Sequence, residues 1–248
     1  VPELPKNIDL EPLPFDEAIA FFGDKVPMTL GEFYSLADAA RARAFTVARV
    51  SKMDVILDIF DSVGAAIADG ETLADFQGRL DDIMAARGWG GLTPWHAETV
   101  FRNNIQTAYS VGRYNQMKDS ADDFYGEYDA VNDSHTRPSH AALDGKIFPM
   151  DHPFWDTWWP PNGHRCRCGV NPIHKDVVEE EGLTVETVDP TNGLIEPIDP
   201  RTGRKMPARP LIPDPGWDTH PGKTEWTPDL DKYPDELRTQ FEAEEREK

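Results

Sequence analysis

Between Leu30 and Lys118 the apolar residues recur at helical spacing. Ile56, Phe60, Val63 and Ile67 step by four, three and four, and Leu73, Phe76, Leu80 and Ile83 by three, four and three. Those steps predict amphipathic helices over 52–69 and 72–87. Leu30, Phe33, Tyr34 and Leu36 lie on one side of another predicted helix, capped by Thr29 and running to about Arg43. Phe101, Ile105, Ala108 and Gly112 mark a fourth, long helix over 94–118, whose small residues admit a close neighbour. Asp69-Gly70-Glu71-Thr72 reads as a helix stop followed by a new cap, and the stretch from Arg87 to Gly91 as a further stop.

After Ser120 the period changes to two. Residues 124–131 alternate aromatic or apolar with polar side chains, as a half-buried strand does, and 145–150 form a second short strand candidate. Between them Pro138 opens a short helix that carries His140 and stops near Gly145.

Proline placement sets the limits of these regions. Only Pro94 lies between Thr29 and Lys118, whereas ten of the 22 prolines follow residue 175. Residues 1–28 read as an extended arm with one short helical piece, Ala18 to Phe22, whose Phe21 and Phe22 dock elsewhere. Residues 176–248 carry 19 acidic and nine basic residues, which predicts an extended or partner-ordered tail with one short helix near 235–247. The expected fold is α+β and mainly helical. It comprises the arm (1–28), a four-helix amino-terminal block (29–120), a small β-hairpin Cys/His subdomain (121–175) and an irregular, acidic, Pro-rich extended tail (176–248).

The 248 residues include 25 Lys plus Arg against 45 Asp plus Glu, a formal charge of −20. Such an excess repels phosphate except at a local basic patch, and the chain has no Lys/Arg block longer than a few residues. Nucleic acid is therefore not expected as the main partner. No apolar run approaches the roughly 20 residues of a bilayer span, and the polar, Pro-containing start from Val1 to Asp9 does not read as a signal peptide. No membrane partner is expected.

The only two cysteines, Cys166 and Cys168, are one residue apart, so a disulfide between them would be strained and would close almost no loop. Free thiols in a reducing compartment, or thiolates on a metal, remain. In an extended segment His164, Cys166 and Cys168 would present an imidazole and two sulfurs on one side, a plausible metal edge. Zn²⁺ favours four N or S ligands, and His140, with 25 residues between it and Cys166, can supply another. His135 and His140 differ by five positions, about 140° on a regular helix, so both cannot reach one ion from it. The candidate metal ligands are thus His140, Cys166, Cys168 and His164, with a structural Zn²⁺ as the candidate cofactor. The competing reading is a hydrogen-bonded knot, in which His140 and Arg137 bond backbone carbonyls and Asp133 while the thiols are simply buried. His152 reads as a turn residue, and His96 and His220 as solvent-facing. Phe154, Trp155, Trp158 and Trp159 either pack over the strands or form a binding platform.

The stretch Asp133-Ser134-His135-Thr136-Arg137-Pro138-Ser139-His140-Ala141-Ala142-Leu143-Asp144-Gly145-Lys146-Ile147-Phe148, followed by Pro160-Pro161-Asn162-Gly163-His164-Arg165-Cys166-Arg167-Cys168, resembles the carboxyl half of the phage Mu F-like minor head (head morphogenesis) domain. Residues 44–48 and 101–113 are similar to that family's amino half, so the resemblance spans about residues 30–175. It implies a non-enzymatic minor capsid protein of a tailed phage or prophage. Such a protein would bind portal or major capsid subunits at the portal vertex during head assembly and DNA packaging. The implied location is the virion head, and the host cytoplasm during assembly. Many relatives have a Cys-x-x-Cys pair where this chain offers Arg137 and His140, and some fuse toxin or nuclease domains, for which the tail here is too short and Pro-rich.

Two other readings belong to different classes. A metal-dependent hydrolase or nuclease would use an ion near His140, Cys166 and Cys168, with Asp144 or His152 as base. A DNA-contacting protein ejected with the genome would use Arg102, Arg113, Lys118, Arg165 and Arg167, although such arginines commonly pair with abundant carboxylates.

Overall fold

In the computed structural model the protein is α+β and mostly helical, and the structure describes residues 15–36 and 39–223. Three helices fall where the apolar spacing places them: α3 (Met53–Ala68), α4 (Leu73–Ala86) and α5 (Pro94–Lys118). α4 starts at a reciprocal cap, in which Thr72 Oγ1 accepts from the Asp75 amide and the Asp75 carboxylate accepts from the Thr72 amide. α5 starts with Thr93 as cap and Pro94 in its first turn. The close neighbour of α5 is α1 (Asp16–Gly23), a two-turn helix in what the sequence predicts as an arm. A Cβ at Gly112 would lie 2.7 Å from the Phe15 ring and 3.0 Å from the Ala18 amide, so glycine is what lets the two helices touch. Phe21 and Phe22 enter a core with Phe45, Val47, Ile56, Ile59, Val63, Phe76, Leu80, Ala108 and Val111. Fully burying a side chain of this kind contributes roughly 1.5–3 kcal/mol.

The helix expected over Thr29–Arg43 is not continuous. α2 (Leu30–Ser35) is capped by Thr29 with Glu32 and stops after six residues, with Leu36 extended. A 3₁₀ turn, Ala39–Arg43, then leads into β2 (Ala44–Phe45), which pairs in parallel with β1 (Val26–Pro27). α2 has no buried residue, so a longer helix would have had no core to cover. The chain instead turns to place Phe45 and Val47 inside.

The carboxyl half is built on a three-stranded antiparallel sheet, not a two-stranded hairpin, in the order β4 (Ile147–Pro149), β3 (Phe124–Asp129), β5 (Gly169–His174). β5 carries Gly169, Asn171 and Pro172, residues depleted in strands, and Pro172 is tolerated because β5 is an edge. Phe148, Phe154, Trp155, Trp158 and Trp159 are buried together over this sheet, with Phe154 to Trp158 forming the short helix α7. The aromatic run is therefore packing. At Gly126, in mid-strand, a Cβ would lie 2.8 Å from the Trp155 ring, which explains the glycine there.

The segment 176–223 is irregular but packed on the body, which corrects the expectation of an extended or partner-ordered tail for this part. After α8 (Lys175–Glu181), the Glu186 amide donates to Ile147 O, and Ile195 pairs with Arg209. Leu211 is buried in the second core, and Lys223 reaches Asp156 at 2.6 Å. His220 is buried rather than solvent-facing, stacked on Trp159 at 5.0 Å and edge-on to Tyr114 at 4.3 Å. Its hydrophobic neighbours were not visible from the tail's composition. The helix expected near 235–247 and the first half of the arm, residues 1–14, lie outside the described residues. No helix among the described residues is long and apolar enough to cross a membrane.

Burial, and then Lys223, hold the His220 imidazole well below its ordinary value of 6.5, at about 3. Between those values the unfolded chain takes up a proton that the native chain refuses, so stability is full above pH 6.5 and falls as the pH is lowered toward 3. Thermal unfolding followed against pH should show this loss, and His220→Phe, which keeps the ring stack, should flatten it. An unchanged pH slope in the variant would contradict the assignment to His220.

Candidate metal centre

Local turn chemistry brings three residues together. Asp133 accepts from the His135 amide and from Thr136 Oγ1, closing a turn that ends at Pro138 in the first turn of α6 (Pro138–Ala141). His140 sits in the last turn of that helix and is 2% exposed. On the other side, Arg165 takes a left-handed conformation (φ 58°), and the Cys166 amide donates to Gly163 O. The chain so folded delivers Cys166 and Cys168, 5% and 3% exposed, to the imidazole. Nδ1 of His140 lies 3.6 Å from Cys166 Sγ and 3.4 Å from Cys168 Sγ.

α5 holds this segment by a polar stripe. Asn103 Oδ1 accepts from the Arg165 amide at 2.7 Å, and Gln106 Nε2 donates to Cys168 O at 2.8 Å. Ser110 Oγ donates to Pro160 O, and Arg113 donates to Val170 O at 3.1 Å. These positions, 103, 106, 110 and 113, recur at three- and four-residue steps, so they share one helix face. Reading α5 only for its apolar stripe missed them; the polar residues at helical spacing were the available signal.

The two sulfurs and the imidazole are chemically unequal. The Cys166 thiol is held well below its ordinary value by the hydrogen bond from Cys168, with burial opposing and His140 adding to the effect. The Cys168 thiol is pushed up, by its hydrogen bond with Cys166 first and by burial next. Tyr128, fully buried beside them, is raised by burial first and by the cysteines next; its hydroxyl donates to Asn162 Oδ1 at 2.9 Å. The other His140 nitrogen, Nε2, is buried with no hydrogen-bond partner, and the ring is set edge-on to Trp158.

His140, Cys166 and Cys168 form the group able to hold an ion among the described residues, with donor atoms all within 4.8 Å of one another. For a tetrahedral Zn²⁺ with bonds of about 2.3 Å to S and about 2.05 Å to N, adjacent N and S ligands stand about 3.5 Å apart, so the observed spacing fits. A recess of about 10 Å³ beside the donors, roughly one water-sized probe, is lined also by Val131, His135 and Arg137.

His164 is not part of this group, contrary to its place among the candidate ligands. The left-handed Arg165 breaks the alternation, and His164 turns toward α5, where Nδ1 is 2.9 Å from Asn103 Nδ2 and the ring meets Trp217 edge-on. Of the hydrogen-bonded knot, Arg137 does bond a backbone carbonyl, His164 O, but its carboxylate partner is Asp214 at 2.7 Å. Asp133 instead takes both terminal nitrogens of Arg167, at 2.7 and 2.6 Å, and that bond holds its carboxyl well below the usual range. Arg102 and Arg165 share Glu98, both at 2.7 Å. Asp144 accepts from the Ala130 amide at 2.8 Å, and His152 Nδ1 from the Phe154 amide at 3.1 Å, so both candidate bases serve the backbone.

Residues 58–171 match the family model described as phage Mu protein F like protein. The chain is 38% identical over 191 residues to the "Putative capsid assembly protein F" of Escherichia phage Mu, a match covering 70% of this chain and 43% of that protein. It is 35% identical over 190 residues to the "Mu-like prophage FluMu F protein" of Haemophilus influenzae, covering 70% of this chain and 46% of the relative. The matched region thus spans less than half the length of these curated relatives. No solved structure matches the chain.

Asn103 is the residue whose loss should loosen the centre most selectively. Asn103→Ala leaves the Arg165 amide without its acceptor, so unfolding free energy should fall by about 1–3 kcal/mol. Cys166 and Cys168 should then react faster with a thiol reagent such as DTNB in the native protein. Unchanged thiol reactivity would show that the helix stripe does not hold the turn.

Proposed function

Because the chain belongs, through residues 58–171, to the phage Mu protein F-like family, we propose that it is a minor capsid, or head morphogenesis, protein of a tailed phage or prophage. Its role in this reading is non-enzymatic. It binds portal or major capsid subunits during head assembly and DNA packaging, and resides in the virion head near the portal vertex after assembly in the host cytoplasm. The observation that carries the proposal is the 38% identity to a relative named as a putative capsid assembly protein. The burial of the His140, Cys166 and Cys168 donors supports a structural centre, since a recess of about 10 Å³ has no room for a substrate.

His140 Nδ1, Cys166 Sγ and Cys168 Sγ would hold a structural Zn²⁺. The ion would supply a cross-link between α6 and the turn before β5, two segments far apart in sequence. His140 Nε2 has no acceptor, so the far side of the ring is positioned by Trp158 packing and lacks the hydrogen bond that usually strengthens a histidine ligand.

Two experiments test these roles separately. Co-expressed with the portal and major capsid proteins of its own phage or prophage, the chain should co-sediment with one of them or with assembled heads. Recovery solely as a free species, with normal heads formed without it, would overturn the assembly reading. For the metal, protein purified without chelator should contain about one zinc per chain by elemental analysis, with none in Cys166→Ser/Cys168→Ser. Wild-type protein that stays metal-free after incubation with Zn²⁺ would remove the metal proposal while leaving the assembly reading intact.

A further inference from the structure

A second cavity, of about 330 Å³, lies away from the Cys/His centre. That volume is at the lower end of small-ligand sites, which run to roughly 300–1,000 Å³. Its walls come from Lys25 and the α2–β2 stretch, the face of α5 around Val100, Pro161 with His164, and the segment 215–221. Most of the lining is apolar, with Leu30, Phe33, Phe45, Val100 and Trp217 prominent.

Two polar groups in this wall are not accounted for by the fold. Lys25 is only 7% exposed, yet its ammonium makes one hydrogen bond, to Ala42 O at 2.7 Å, and lies over the Phe21 ring at 5.1 Å. Among the described residues no carboxylate pairs with it and none lines the cavity. Burial, reinforced by Arg43, lowers the lysine to about 7, as befits an ammonium removed from water without a counter-charge. Thr46 Oγ1 is buried on the same wall and has no hydrogen-bond partner. A buried ammonium with unused donors and a buried unpartnered hydroxyl are both costly unless something completes them. Arg41, also in the lining, is engaged by Phe33 O and Tyr34 O and lies over both rings.

We infer that this cavity binds a monocarboxylate with an apolar body, its carboxylate received by Lys25 Nζ and Thr46 Oγ1 and its body by Phe33, Phe45 and Trp217. One ammonium balances one negative charge, and the apolar walls exclude a ligand that is polar throughout. The same chemistry is offered by a free carboxylic acid and by the last residue of a polypeptide.

The test is isothermal titration of the full chain with three probes: N-acetyl-phenylalanine, its carboxamide, and a hexapeptide ending in phenylalanine with a free carboxylate. The acid or the peptide should bind saturably, and the carboxamide at least about tenfold more weakly, the range of one charge-assisted hydrogen bond. Tighter binding of the peptide identifies a chain end as the source and tighter binding of the acid a free ligand; either supports the site. Lys25→Met should keep its melting temperature, because it removes an unpaired buried charge, and should lose at least about tenfold in affinity. Thr46→Val should weaken binding by a smaller factor. Equal binding of acid and carboxamide, or no saturation by either carboxylate up to about 10 mM, below which even a millimolar site would be evident, overturns the proposal. The carboxamide comparison decides the matter on wild-type protein even if a variant fails to fold.

Discussion

The structure depends on the two-sidedness of α5. One side is closed against α1, α3 and α4 through Val100, Ala108, Val111 and Gly112, and another carries the Asn103, Gln106, Ser110 and Arg113 side chains that hold the 160–170 segment by its backbone. Each such bond contributes only about 0.5–1.5 kcal/mol net, but losing a partner of a buried amide or carbonyl costs more than making the bond gains. The stripe therefore acts chiefly as a register. It admits one placement of the Cys166 turn along the helix, and in that placement both sulfurs meet His140.

Charge is arranged around this register. The chain carries twenty more acidic than basic residues, yet the arginines near the site are closely matched: Arg102 and Arg165 with Glu98, Arg167 with Asp133, Arg137 with Asp214. These pairs are partly exposed, so each is worth little in stability taken alone. Their effect is orientational, because the bidentate Arg167 grip on Asp133 ties the turn before α6 to the residue between the two cysteines. Arginines so engaged present little free positive charge to a phosphate backbone, which weakens the reading of Arg102, Arg165 and Arg167 as DNA contacts.

Helices α3 and α4 were legible because a single face of each is buried, which imposes a 3.6-residue period, and α5 because the side turned to α1, α3 and α4 does the same; the caps of α4 and α5 are local. The Thr29–Arg43 stretch misled for the opposite reason: the apolar residues of α2 are not buried in a core, so periodicity exists there without burial to sustain a longer helix. β5 escaped notice because edge position overrides the bias against Gly and Pro. At the site, His140 and the two thiols could be grouped by ligand chemistry. His164 could not be separated from them, since alternation presumes extended backbone and the left-handed turn at Arg165 has no distinct sequence mark. The packed part of the tail was least legible. Its anchors, Leu211, Asp214, Trp217 and His220, are single residues in a Pro-rich stretch, each meeting a different partner, and such contacts have no period.

Those anchors tie the two halves into one system. Trp217 forms part of the cavity that holds Lys25 and also meets the His164 ring, while three residues later His220 sits between Trp159 and Tyr114 in the second half. Releasing the 211–223 segment would uncover the aromatic cluster and remove a wall of the cavity together. By linkage, anything that binds the cavity only when this wall is present must stabilise the segment by the same free energy, and anything that charges His220 must weaken that binding. The coupling needs no moving wire through the protein. It follows from one short segment serving as a wall for two sites, so that neither can be opened without the other.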